Sequence, residues 1–199
     1  MTLDRLRPVA TRLLRPWVRG ARGLGATPNT VSVVAFALAL AAAGAFYVAT
    51  PLAYGVGALC VFLNGWLDLL DGALARELGT DSEAGDLLDH VLDRYADVVV
   101  VAGLAAGIGR YDLGLAAVTG VLLTSYLGTQ AQAVGLDRVY GGLLGRADRL
   151  ALVGITAAAA AVTPTISGVS LVALLLGLFA VVGHLTALQR FVSAWRQLG

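Results

Sequence analysis

Hydrophobic residues run along this chain in long blocks separated by short polar breaks. From Gly23 to Leu67 no residue is charged, a stretch of forty-five. One helix crosses the hydrocarbon core of a bilayer with about 20 residues, so this stretch predicts two spans. Thr50-Pro51 divides them, because proline ends a helix and biases the residue before it toward extended geometry. The first span is expected near 29–49 and the second near 52–75, its end carrying the polar stretch Asp68 to Arg76. Glu77 to Ala84 reads as a polar loop with Gly79 and Ser82 as breakers. A third span is expected from about Gly85 to Gly109, and a fourth from Leu113 to Gly135 behind the Arg110–Asp112 turn. Leu150 to Gln189 is again uncharged for forty residues, and Thr163-Pro164 splits it into spans five and six. The pattern predicts an all-α integral membrane protein, six transmembrane helices in a single domain over 1–199.

The first twenty-five residues follow a different period. Leu3, Leu6, Ala10, Leu13, Leu14, Trp17, Ala21 and Leu24 recur at helical spacing, with arginines on the other side. Residues 1–25 therefore read as an amphipathic arm lying in the membrane interface, ahead of a membrane core over 26–199. Pro8 and Pro16 argue against one straight helix there. A cleavable signal is excluded, since the apolar stretch behind the arm far exceeds the roughly 7–15 residues of such a segment.

Composition agrees: 58% of residues are hydrophobic, 14% are charged, and mean hydropathy is +0.79. A soluble domain usually carries about 25% charged residues. The net charge of +1 hides an asymmetry, because all fourteen basic residues are arginines and they gather on one side. Placing the N-terminus in the cytoplasm puts Arg5, Arg7, Arg12, Arg15, Arg19, Arg22, Arg76, Arg138, Arg146, Arg149, Arg190 and Arg196 inside. Arg94 then lies near the cytoplasmic end of span three, and only Arg110 is outside. Both termini and the loop between spans two and three are expected at the cytoplasmic face of the cell membrane. The single cysteine, Cys60, offers neither a disulfide framework nor a cysteine metal cluster. No nucleic-acid partner is expected.

Charged residues inside membrane helices cost roughly 2.5–3.5 kcal/mol each on insertion scales and call for a function. Asp68 and Asp71 stand three apart, Asp89 and Asp93 four apart, so each pair shares one helix face. The short loop makes spans two and three an antiparallel hairpin, which lets both pairs meet at one depth. Four carboxylates converging without basic partners would repel one another. A divalent cation resolves the conflict, and oxygen-only ligands suit Mg²⁺, Mn²⁺ or Ca²⁺. Two metals sharing carboxylates form a clamp for in-line displacement at phosphorus. Asp97 continues the Asp86–Asp89–Asp93 face one turn deeper and reads as part of a supporting network.

Written out, residues 68–93 are Asp68-x-x-Asp71-Gly72-x-x-Ala75-Arg76, eight residues, Gly85-x-x-x-Asp89-x-x-x-Asp93. This resembles at every position the signature of the CDP-alcohol phosphotransferase family. The six-span layout, the amphipathic N-terminal segment and Thr27-Pro28-Asn29 opening span one are also similar to that family. The resemblance implies a membrane transferase of phospholipid biosynthesis. It would move a phosphatidyl or archaetidyl group from CDP-diacylglycerol or CDP-archaeol to a small alcohol, releasing CMP. It implies two divalent cations, Mg²⁺ or Mn²⁺, with Asp68 and Asp89 bridging both, Asp71 on the first and Asp93 on the second. Asp93 would also be the general base for the acceptor hydroxyl. Gly72, Ala75, Arg76, Ser82 and Gly85, with Asn29, Thr30, Val31 and Ser32, would form the CDP-lipid pocket. A homodimer is implied as well.

For the acceptor, Thr2-Leu3-Asp4-Arg5-Leu6 and Gly145-Arg146-Ala147-Asp148-Arg149-Leu150 resemble the inositol-phosphate-using branch of the family. Arg138, Arg146 and Arg149 would supply cationic contacts to a phosphorylated acceptor. That branch commonly has Ser-Tyr-x-x-Ala-Arg-Ala-Glu in span four, where this chain has Ser125-Tyr126-Leu127-Gly128-Thr129-Gln130-Ala131-Gln132. Gln130 thus replaces the expected arginine and Gln132 its acidic neighbour, which leaves neither charge buried alone. Glycerol phosphate and an uncharged polyol stay open beside inositol phosphate. Gly103-x-x-x-Gly107 reads as a packing face, within the chain or in a dimer. A transporter is disfavoured, since paired interrupted hydrophobic segments are missing from the two halves. An aspartate-rich prenyltransferase is disfavoured because Asp71 follows Asn64-x-x-x-Asp68 one residue too early.

Overall fold

The structure, a computed structural model, describes residues 7–80, 82–137 and 141–199. Leu3 and Leu6 of the arm, and Arg138, lie outside the described residues. The described chain is nearly all helical: α1 (Arg7–Gly23), α2 (Pro28–Val48), α3 (Pro51–Leu78), α4 (Glu83–Gly107), α5 (Tyr111–Ala133), α6 (Arg146–Val162) and α7 (Leu171–Leu198). Local chemistry sets the helix starts. Thr27, Thr50, Ser82 and Ser170 are N-caps whose hydroxyls accept from the backbone N–H three residues on, at 3.2, 3.3, 3.1 and 3.4 Å. Each such cap stabilises by about 1 kcal/mol, and Pro28 and Pro51 take first-turn positions where no N–H is missed.

Several boundaries depart from the sequence expectations. α1 runs as one helix through Pro16, while Pro8 falls in its first turn, where proline is tolerated. α3 continues through the polar stretch to Leu78, so the loop expected over Glu77–Ala84 shrinks to 79–82. Gly79 ends α3 in the left-handed region at φ +61°, with its own N–H and that of Thr80 closing on the Ala75 carbonyl. Between α6 and α7, β1 (Thr165–Ile166) and β2 (Val169–Ser170) form a small antiparallel hairpin that Thr163-Pro164 alone did not announce. Ser167 and Gly168 turn it at φ +50° and +81°, the positive pair that matches strand twist.

The helices pack in a ring: α2 on α3, α3 on α6, α6 on α7, α7 on α5, α5 on α4, and α4 back on α2, with α1 lying along α3. The short turn between α3 and α4 brings their aspartates to one depth, while α2 packs along both helices. Small residues decide this. A Cβ on Gly103 would lie 2.4 Å from the Ala43 carbonyl oxygen, and one on Gly107 2.1 Å from that of Phe46. The Gly103-x-x-x-Gly107 face is therefore filled by α2 within the chain. Close backbone approach of this kind is how helices associate where the solvent is lipid.

The core accordingly holds Ala39, Ala42, Ala117, Ala157 and Ala160 around Phe46, Leu104, Leu176 and Phe179. Large apolar side chains turn outward instead, among them Leu52, Phe62, Leu115, Ile155 and Val181. α2, α3, α5 and α7 are each long and apolar enough to cross a membrane. α1 buries Leu14 and Val18 against Val31, Leu70 and Leu74, and sets Trp17 edge-on to Trp66 at 6.0 Å.

Candidate active site

The wedge of α2 leaves a cleft between α3 and α4, and the carboxylates fill it. One oxygen each of Asp68, Asp89 and Asp93 lies within 4.8 Å of the others. Asp71, one turn beyond Asp68, is buried, and its Oδ2 accepts a 2.7 Å hydrogen bond from the Ser32 hydroxyl of α2. All four aspartates line one cavity of about 10 Å³, with Ser32, Asn64, Ala35, Phe36, Leu92 and Ala96 as the other walls. That is room for one water-sized sphere. Asn64 donates to the Ala35 carbonyl at 2.8 Å and ties α3 to α2 at this wall. The donors are all hard oxygens in a tight group, which suits Mg²⁺, Mn²⁺ or Ca²⁺.

Contrary to the expectation of carboxylates without basic partners, arginines thread through the cluster. Arg146, the first residue of α6, places Nη1 2.6 Å from Asp68 Oδ1 and Nη2 2.5 Å from Asp93 Oδ1. Arg94 lies 3.6 Å from Asp93 and 3.6 Å from Asp97, and hydrogen-bonds the Ser125 hydroxyl of α5. Arg149 donates from Nη2 to Asp97 Oδ2 at 2.9 Å, both side chains 6% exposed. Charges thus alternate inward from the cleft as Asp68, Arg146, Asp93, Arg94, Asp97, Arg149.

The remaining sequence-predicted residues separate into two groups. Asn29, Ser82 and Gly85 come together, since a Cβ on Gly85 would sit 3.1 Å from Ser82 Oγ and 3.4 Å from Asn29 Oδ1. The Arg76 guanidinium folds back over Gly72, 3.4 Å from where a Cβ would be. Ala75 is half-buried one turn beyond Asp71. Thr30 is exposed and bonds the Thr27 hydroxyl at 2.8 Å. Val31 instead packs beneath α1, and Arg149 turns to Asp97. Gln130 is half-buried on α5, away from the cavity wall.

From the sequence, Arg94 and Arg190 had a place only in the topology, and Asn64 only in the Asn64-x-x-x-Asp68 spacing. Asn64 precedes Asp68 by four residues on one face, a signal that was available. Arg190 had none: it is buried in α7 and donates to the Gly141 and Thr124 carbonyls at 2.8 and 2.7 Å, pinning the segment before α6 to α5.

Residues 25–195 match the family model described as CDP-alcohol phosphatidyltransferase. The chain is 30% identical over 197 residues to the archaetidylinositol phosphate synthase of Pyrococcus horikoshii, covering 98% of both chains. It is 32% identical over 197 residues to the phosphatidylinositol phosphate synthase of Streptomyces avermitilis, covering 94% of this chain and 80% of that one. The crystal structure of the Mycobacterium tuberculosis phosphatidylinositol phosphate synthase with CDP-DAG bound superposes with a TM-score of 0.79 at 29% identity, over 92% of this chain and 94% of that one. The same enzyme in complex with manganese and citrate also gives 0.79 at 29% identity, over 92% and 88%. An oxygen-only carboxylate cluster, a fold shared with a manganese-binding enzyme and a family match over most of the length agree on a divalent-cation transferase. The chain belongs to the CDP-alcohol phosphatidyltransferase family.

Proposed function

We propose that this enzyme transfers a phosphatidyl or archaetidyl group from CDP-diacylglycerol or CDP-archaeol to a hydroxyl of inositol phosphate, releasing CMP. One observation carries the reading: Asp68, Asp71, Asp89 and Asp93 converge on one small cavity between α2, α3 and α4. The inositol phosphate acceptor is supported by the names of relatives that align over nearly the whole chain.

Asp68, Asp71, Asp89 and Asp93 hold two divalent cations, Mg²⁺ or Mn²⁺, which when bound supply charge stabilisation to the diphosphate and to departing CMP. Ser32 keeps Asp71 turned into the site. Asn29, Ser82 and Gly85 at one edge, and Gly72, Ala75 and Arg76 at the other, cradle the nucleotide, with Thr30 beside them and Val31 packing beneath. Arg76 pairs with phosphate oxygens through its planar fork. Asp93 takes the proton of the acceptor hydroxyl as that oxygen bonds to the lipid-side phosphorus. The bond from that phosphorus to the CMP oxygen breaks, and CMP leaves with the electron pair. Arg146 contacts the acceptor, and the family resemblance adds Arg138, outside the described residues, and Gln130 to that role. Arg149 acts through Asp97 and steadies α4 against α6.

The same reading takes α2–α7 as six spans of a single domain with α1 at the interface. Both termini and the site face the cytoplasm, supported by the arginine distribution. A homodimer rests on the family resemblance and is tested by mass in detergent. The deciding assay is CMP release and lipid product from purified protein with Mg²⁺ or Mn²⁺ and either CDP-lipid. The acceptors are inositol phosphate, glycerol phosphate, inositol, glycerol and serine. Product with inositol phosphate, lost in Asp93→Asn, supports the reading; product only with another acceptor, or undiminished in Asp93→Asn, overturns it.

A further inference from the structure

Arg146 grips two of the four aspartates at once, Asp68 at 2.6 Å and Asp93 at 2.5 Å. Among the described residues, these two carboxylates are its ion-pair partners. Arg146 opens α6, where the helix dipole disfavours a cation, and its Nε is buried with no hydrogen-bond partner. Charge counting shows what cation loading does to it. Four carboxylates are balanced by two divalent cations, which leaves the guanidinium as surplus positive charge against the same oxygens. Asp93, the proposed base, has one oxygen gripped by Arg146, with Arg94 3.6 Å from the other.

Resting on the transferase reading above, we infer that Arg146 and the divalent cations compete for Asp68 and Asp93, so that cation loading hands the guanidinium to a phosphate oxyanion. Cation binding and phosphate recognition are then coupled through one side chain. The oxyanion is either the acceptor's phosphate or the nucleotide diphosphate, and a planar, bidentate donor suits both. The swing is a change of side-chain torsions on a fixed helix start, where Asp148 accepts from the Gly145 N–H at 3.0 Å. α6 itself need not move.

The test is Mn²⁺ binding, read by electron paramagnetic resonance on the full chain in detergent without lipid substrate. Arg146→Gln is expected to bind Mn²⁺ about tenfold tighter than the parent, since a charge-assisted competitor is gone. Arg146→Lys, which keeps the charge but not the fork, should fall between and serves if the glutamine variant does not fold. Inositol phosphate or glycerol phosphate should tighten Mn²⁺ binding several-fold in the parent and not in Arg146→Gln, about the reciprocity that linkage demands. CDP, which ligates the metal itself, should tighten binding in both; a larger effect in the parent assigns the diphosphate as the oxyanion. Unchanged or weaker Mn²⁺ binding in the Arg146 variants overturns the competition. Loss of all Asp93-dependent Mn²⁺ binding in the parent overturns the transferase reading as well.

Discussion

Asp97→Asn is the sharpest structural perturbation available, because it keeps shape and removes one charge from a buried pair. Arg149 then stays ionised with 6% of its side chain exposed, and its Nε already lacks a partner. Breaking one side of such a pair costs about 3–5 kcal/mol, since the remaining charge is left uncompensated. Arg149→Met should be milder, about 1–3 kcal/mol, because Asp97 retains Arg94 at 3.6 Å. The double variant should cost less than the sum by about 2 kcal/mol, the signature of direct contact. At about 2–4 °C per kcal/mol for a chain of this size, Asp97→Asn should lower the apparent Tm by roughly 10 °C. A thiol-reactive dye can report unfolding at Cys60, the chain's single cysteine. Far-UV dichroism serves less well, because membrane helices persist after packing is lost. Full stability in Asp97→Asn, a larger loss in Arg149→Met, or strict additivity would refute the argument.

Other expectations follow from single contacts. Ser32→Ala removes the 2.7 Å donor to Asp71; at about 1.5–3 kcal/mol for a bond to a charged group, the Mn²⁺ concentration for half-maximal CMP release should rise at least tenfold. Asp93→Asn should abolish turnover by about 10²–10⁴-fold while CDP-lipid binding, measured by equilibrium dialysis against labelled nucleotide lipid, persists. Gly107→Val forces a Cβ to within 2.1 Å of the Phe46 carbonyl and should destabilise by about 3 kcal/mol or more, read as a fall in folded yield and Tm. Gly44→Ala on α2, where a Cβ meets nothing within 4 Å, should leave both unchanged.

The helices were legible before any coordinates because their causes are local. Uncharged stretches long enough for a bilayer, and the prolines of Thr50-Pro51 and Thr163-Pro164 that end helices, act within a few residues. The family motif was legible for a related reason: spacings of three and four put Asp68 with Asp71, and Asp89 with Asp93, on single faces whatever surrounds them. The short loop between spans two and three implied that their aspartates meet, but not that α2 would pack along α4, where Gly103 and Gly107 admit its backbone. Nothing in a hydrophobic pattern says which of several apolar faces a small-residue face will meet.

Charge pairing shows the same division. Arginine positions along the chain imply sidedness, because that depends on counts in loops. They do not tell an arginine that anchors topology from one that reaches an aspartate more than fifty residues away. Arg146 on Asp68 and Asp93, Arg149 on Asp97, and Ser32 on Asp71 all join residues far apart in sequence. Each partnership exists only because ring packing of the helices brings two ends to one depth. The sequence by itself determined the helices, their membrane character and the carboxylate chemistry, since these follow from composition and short-range geometry. The tertiary structure alone decided which cation neutralises which carboxylate, because in a low-dielectric interior a charge pairs with what packing places within reach.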